Sequence, residues 1–254
     1  RQGFFRNLYI FNIIYIIQLK LFPMTTFNSQ GLNIIVPCFN EQDNLQTTIK
    51  KIEDWCILKN LEFQIIIVNN NSTDKTEEVA QRLVHKNILF VNEKKKGKGF
   101  AVKKGMMNAK YNNVLIIDAD LSTDIDHLKV DWFNTYNSLI IGSRPLGVEI
   151  GTPFIRRVYG KILNYLIRII FSIEIKDTQC GFKFLSTNKL NEIINEIEFG
   201  GFIYDLDLIM ICKKLKFKII ETPVSYKFDE NSSVSLIRDP ILIIKDLIKL
   251  KKKF

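Results

Sequence analysis

The run NVLIIDADLST at 113–123 decides how this chain folds. Its first half, Val114 through Ile117, is unbroken aliphatic side chain. A strand that is apolar at every position, and not at every second one, is covered on both faces. The second half turns polar within one residue and sets Asp118 and Asp120 on either side of Ala119. A buried strand that ends abruptly in acidic residues predicts a parallel α/β sheet, because ligands bind such sheets at the carboxyl ends of their strands.

The same grammar recurs on both sides of this run. Candidate strands fall at 32–37, 63–68 (with QIIIV at 64–68), 88–91 and 138–142, besides 114–118 itself. Helical stretches lie between them near 42–56, 74–85, 98–110 and 124–135. Alternation of this kind implies βαβ crossovers, hence an α/β fold with a mainly parallel sheet and helices on both faces. The later part reads as a helix over 153–172, a polar loop at 177–182, helices near 187–197 and 203–215, and a strand at 217–223. Polar clusters close the early strands at 37–41, 69–74, 118–124 and 143–144.

Composition limits the function. With 254 residues, 46% hydrophobic and 25% charged, the chain supports one large packed domain. Four widely spaced cysteines without a CxxC pair, and only 2 histidines, exclude a disulfide scaffold, a zinc finger and a histidine-rich metal site. A net charge of +9 points to an anionic partner. No nucleic-acid module accompanies the lysine clusters, so that partner is a phosphorylated substrate or a membrane surface and not nucleic acid. Three regions follow: an apolar leader or membrane anchor at 1–30, the main domain at 31–230, and a basic amphipathic helix at 231–254. The uninterrupted apolar part of the leader, 8–17, is shorter than the roughly 20 residues that span a bilayer.

Four motifs carry chemistry. Asp118 and Asp120 stand at i and i+2 beyond a strand end, where two carboxylates can converge on one Mg2+ or Mn2+; a solvated turn or helix cap is the plain alternative. NEKKKGKG at 92–99 opens a helix with glycines and Lys98, which suits an anion at a helix N-terminus, or else forms an exposed charged loop. VPCFNE at 36–41 and VNNNSTD at 68–74 each read as a turn and cap when taken alone.

Taken in order, these motifs resemble glycosyltransferase family 2, with its GT-A fold. VPCFNE stands at the family's opening VPxYNE, VNNNSTD at its VDDGSTD, GKGFAVKKGM at 97–106 at its GKGxAVxxGM, and 118–120 at its DxD. Further on, IGSR, DTQCGFKF at 177–184, YDLDLI and the tail resemble the polyprenyl-phosphate sugar transferases, the dolichyl-phosphate β-glucosyltransferases above all. The resemblance implies that Pro37, Asn40, Glu41 and Asn69–Asn71 line the nucleotide pocket, with Lys98 near the base or diphosphate. It implies that Asp118, Ala119 and Asp120 hold nucleotide and metal, with Ser122 close by. Arg144, Arg156 and Arg157 are then the phosphate clamps, and loop 177–182, with Asp177 and Gln179, closes the acceptor side with Asp205 and Asp207. The family usually carries an aspartate where Asn69 stands; an asparagine oxygen still accepts a hydrogen bond there, without charge assistance.

The implied reaction is transfer of glucose from UDP-glucose to dolichyl or polyprenyl phosphate. An acceptor phosphate is already ionised near neutral pH, so no strong base is needed; a hydroxyl acceptor would need one, with Asp205 and Asp207 as candidates. The alternatives are a glycan or other soluble acceptor, GDP-mannose as donor, and a non-catalytic nucleotide-sugar-binding protein. A nucleotidyltransferase would show a glycine-rich signature after the first strand, where CFNE stands. The tail places Ile241, Ile243, Ile244, Leu247, Ile248 and Leu250 opposite Arg238, Asp239, Lys245, Asp246 and Lys249. This is the pattern either of a helix lying on a bilayer or of one packed on the main domain. The expected location is membrane-associated with the catalytic domain on the cytoplasmic side, at the endoplasmic reticulum or a prokaryotic inner membrane.

Overall fold

A computed structural model describes the backbone of residues 28–228 and 239–254, with side chains from 31 to 228 and from 243 onward. Residues 1–27 of the leader assigned to 1–30, Arg238 and the side chains of Asp239 and Ile241 lie outside these described residues, while Asn28–Gln30 join the first strand. A seven-stranded sheet forms the centre, in the order β3-β2-β1-β4-β6-β5-β7. The strands are β1 (Asn28–Cys38), β2 (Phe63–Asn69), β3 (Ile88–Asn92), β4 (Tyr111–Ile116), β5 (Ser138–Ile150), β6 (Lys183–Ser186) and β7 (Lys218–Lys227). Strand β1 pairs parallel to β2 and β4, β2 parallel to β3, and β5 parallel to β7; only β6 runs antiparallel, between β4 and β5. The mainly parallel α/β sheet read from the sequence is therefore what forms.

Helices α1 (Leu45–Leu58), α2 (Thr76–Arg82) and α3 (Lys98–Met106) connect the first four strands. Every residue of β2 is buried, which explains its uninterrupted apolar run. Pro37 sits in a central strand without cost. Residues of its parity face β4, as the bond from Ile117 N to Ile35 O shows, and the β4 ladder has ended by Ile35–Ile116.

Helices α4 (Phe154–Phe171), α5 (Leu190–Glu196), α6 (Tyr204–Lys214) and α7 (Asp239–Lys253) build the second half. There a second core forms, with Leu163, Ile167 and Phe171 of α4 against Leu206 and Met210 of α6 and Ile243, Leu247 and Leu250 of α7. The last helix thus packs its buried face on the domain, while Ile244 and Ile248 stay exposed. Among the described residues no helix is long and apolar enough to cross a membrane.

Two expectations are corrected and one strand is added. The stretch 124–135 is two short 3-10 turns, Ile125–His127 and Val130–Asn134, and not an α-helix. Asp124 caps the first through Asp126 N, and Trp132 and Phe133 pack on Phe182 and Phe184, which holds the segment flat on the sheet. Strand β6 was not anticipated, because four residues carrying a lysine make a weak strand pattern. Strand β5 runs on to Ile150 instead of stopping at Gly142.

Candidate active site

The carboxyl ends of β1, β2 and β4 converge, and their loops are zipped together. Asn40, at φ 58°, accepts a hydrogen bond from Thr73 N at 2.8 Å and donates its own N–H to Ser72 Oγ at 3.0 Å. Glu41 N donates to Thr76 Oγ1 at 2.7 Å, and Glu41 Oε2 accepts from Asn44 at 3.0 Å.

The three asparagines tie this wall to the lysine-rich loop. Asn69, nearly buried, donates to Asn92 Oδ1 at 2.8 Å, and its Oδ1 accepts from Ser72 N at 3.2 Å. Asn70 donates to Glu93 O and Lys95 O at 3.0 and 2.8 Å and accepts from Gly97 N at 2.7 Å. Asn71 donates to Glu93 O at 3.3 Å. The side-chain oxygens of Asn69 and Asn70 thus hold backbone N–H groups of the loops.

The acidic turn follows β4. Asp118 pairs with Lys98 at the start of α3. Burial by itself would raise the Asp118 carboxyl; Lys98, and then Lys183 and Arg144, outweigh it and hold the carboxyl below the usual range. Asp118 in turn raises Lys98 against the effect of its burial. Asp120 goes the other way. Burial and then the neighbouring Asp118 carboxylate raise it, opposed by Ser122, whose N and Oγ donate at 2.8 and 2.6 Å. Ala119 O accepts from Thr48 Oγ1 at 2.6 Å, which pins the turn to α1.

The donor set fits a hard divalent cation. Two oxygen-bearing side chains share one turn, and their mutual repulsion, visible in Asp120, is what a 2+ ion relieves. Among the described residues no cluster of three or more His, Cys, Asp or Glu could hold an ion, so a cation held by this turn would need further ligands from water or a bound phosphate.

Loop 177–182 closes the far side. Gly181 lies against the acidic turn so tightly that a Cβ there would stand 1.8 Å from Asp118 Oδ2. Arg144 Nε and Nη2 grip Asp177 Oδ2 and Oδ1 at 2.6 and 2.8 Å. The guanidinium expected to clamp phosphate is therefore turned onto the loop, 5.1 Å from the Tyr226 ring centroid. Arg157 pairs with Glu149 at 3.5 Å, and the Arg156 guanidinium lies 5.2 Å from the Phe228 ring centroid. The side-chain nitrogen of Gln179 is buried with no hydrogen-bond partner among the described residues.

The two carboxylates of α6 separate. Residues two apart on a helix point about 200° apart, so both cannot face one crevice. Asp205 pairs with the fully buried Lys183 and contributes to the raised pKa of Lys98. Asp207 faces away; its oxygens accept from Lys253 Nζ at 2.8 Å and from Glu198 N and Phe199 N at 3.0 and 3.3 Å. Lys183 escaped sequence reasoning. Its signal was a single lysine between phenylalanines in GFKFL.

A parallel sheet whose strand ends join two asparagine-zipped loops, a lysine-rich helix start and a DxD turn defines a glycosyltransferase of the GT-A class. The chain belongs to glycosyl transferase family 2, whose model matches residues 33–194. It is similar to a dolichyl-phosphate beta-glucosyltransferase of Trichomonas vaginalis, 30% identical over 236 residues, covering 85% of this chain and 69% of that protein. It is also similar to the dolichyl-phosphate beta-glucosyltransferase of Saccharomyces cerevisiae, 25% identical, covering 88% and 75%. Among solved structures, glucosyl-3-phosphoglycerate synthase of Mycobacterium tuberculosis, in complex with Mn2+, UDP-glucose and phosphoglyceric acid, superposes with a TM-score of 0.64. That match is 15% identical and covers 88% of this chain and 80% of that one.

Proposed function

We propose that this glycosyltransferase moves glucose from UDP-glucose onto dolichyl or another polyprenyl phosphate. The observation that carries the reading is the state of the α6 carboxylates. Asp205 and Asp207, the candidates for a base, are each committed to a lysine, Asp205 to the fully buried Lys183 and Asp207 to the partly buried Lys253. An acceptor whose phosphate is already ionised needs no base, whereas a sugar hydroxyl does. The names of the relatives point the same way.

In this reading loops 37–41 and 69–71 bind the nucleotide, Lys98 supplies a positive charge beside the diphosphate, and Gln179 offers its unpaired N–H group to the acceptor phosphate. Arg144 holds loop 177–182 in place through Asp177. Asp118 and Asp120 hold Mg2+ or Mn2+, which supplies charge neutralisation at the departing diphosphate. Catalysis is then mainly positioning of two anions. A lipid acceptor met by a soluble nucleotide sugar places the enzyme at a membrane, with the catalytic domain on the cytoplasmic side.

The test offers the enzyme labelled UDP-glucose or GDP-mannose with dolichyl phosphate and Mg2+ or Mn2+. A chloroform-soluble product formed in preference from UDP-glucose is expected. Preference for GDP-mannose would overturn the donor, and a water-soluble glycan product the acceptor.

A further inference from the structure

Helix α4 presents three faces. Leu163, Ile167 and Phe171 are buried against α6 and α7. On the other side Ile155, Ile162 and Ile169 are 71%, 56% and 59% exposed, and Val158, Tyr165 and Leu166 continue the same apolar band. At 100° per residue this band covers an arc of about 100°, from Tyr165 to Leu166. Beside it Arg157, Lys161 and Arg168 form a narrow basic flank, and no acidic residue occurs in the helix. Single exposed apolar residues are ordinary, but a continuous band over about four turns is an interaction surface.

We propose that the outer face of α4 docks in the interfacial plane of an anionic lipid bilayer. The occupant follows from charge and length. The apolar band suits the acyl boundary, and the basic flank suits anionic headgroups. With 18 residues and four of them basic, the helix lies on a bilayer and does not cross it. The docking couples directly to the site. Asn164, on the inner side of α4, accepts from Thr178 N at 3.3 Å and from Thr178 Oγ1 at 2.9 Å, one residue from Asp177. Seating α4 at the headgroups therefore seats loop 177–182 where a lipid-borne phosphate emerges. This inference rests on the polyprenyl-phosphate reading and deepens it.

The test uses the full chain with an environment-sensitive dye on Ile162→Cys and, as control, on Ile57→Cys, exposed on α1. The four native cysteines are buried, so the label goes to the new one. With vesicles of phosphatidylcholine and phosphatidylserine, the dye at 162 is expected to shift to the blue and to be quenched by nitroxide-labelled lipid, and the dye at 57 is not. Lys161→Glu with Arg168→Glu should weaken the response about tenfold on these vesicles and leave phosphatidylcholine alone unaffected. An unquenched dye at 162, equal quenching at 57, or a dye at 162 shielded before lipid is added (by a second copy or by another segment of this chain) overturns the proposal. Transfer to a short, water-soluble prenyl phosphate needs no bilayer and tests the acceptor separately. If transfer is intact and 162 unquenched, only the α4 surface falls.

Discussion

Arg144 and Asp177 hold each other at both ends of the carboxylate, and the Arg144 backbone N–H adds a third bond to Asp177 Oδ2 at 3.1 Å. Asp177 is fully buried and 33 residues away in sequence, so this fork fastens the loop after α4 to the middle of β5. The loop so fastened is the one whose Gly181 leans on Asp118.

Asp177→Ala leaves the Arg144 guanidinium partly buried without its partner and should cost about 3 kcal/mol, read from the urea midpoint. Burial would raise the Asp177 carboxyl, but Arg144 holds it below the usual range. A depressed folded-state pKa contributes stability that is present above the unfolded value of about 3.9 and lost as pH falls through the folded one. The difference between wild type and variant should therefore shrink in strongly acid solution. A constant difference from neutral to strongly acid pH would contradict the pair.

The Gly181 contact has a sharper consequence. Gly181→Ala cannot be accommodated without moving Asp118 or the loop, and a displacement near 1 Å costs about a hundredfold in rate. Transfer should fall by that factor while circular dichroism stays unchanged. Retained activity would show that the loop and the acidic turn move freely of each other.

If Asp120 holds the proposed cation, Asp120→Asn, which keeps the volume and removes one charge, should drop transfer about a hundredfold or more. Near-wild-type rates with added Mg2+ or Mn2+ would remove Asp120 from that role. Because burial and Asp118 raise Asp120, metal affinity should start to fall at a higher pH than for an ordinary carboxylate as acid is added. Ser122→Ala deletes the 2.6 Å hydroxyl bond that opposes the rise, so the acid limb of the metal titration should move further up in pH. A limb that stays put or moves down would be the contrary result.

Lys183 and Asp205 supply a stability test. Both are buried, and Lys183 also donates to Cys180 O of loop 177–182. Lys183→Met strands the Asp205 charge and should cost about 3–5 kcal/mol. Adding Asp205→Asn should recover most of that loss. Additive losses in a double-mutant cycle would mean the two side chains do not depend on each other.

Much of this protein was determined by local sequence. The unbroken runs at 64–68 and 114–117 specify strands buried on both faces, and the acidic turn at 118–120 falls where such strands end. Asp205 and Asp207 were expected together on the acceptor side, although helical geometry alone divides them. What the chain could not show locally was decided by contacts distant in sequence. Strand β6 exists because four residues with little strand pattern fill the gap between β4 and β5. Lys183, on β6, is tolerated in the core because Asp205 arrives from helix α6. Arg144 turns to Asp177, and Asn69 and Asn70 to the loops after β2 and β3, because burial makes an unpaired polar group costly and each took the nearest partner that the fold supplied. Periodicity records which face of an element is covered; it carries no record of which distant side chain does the covering.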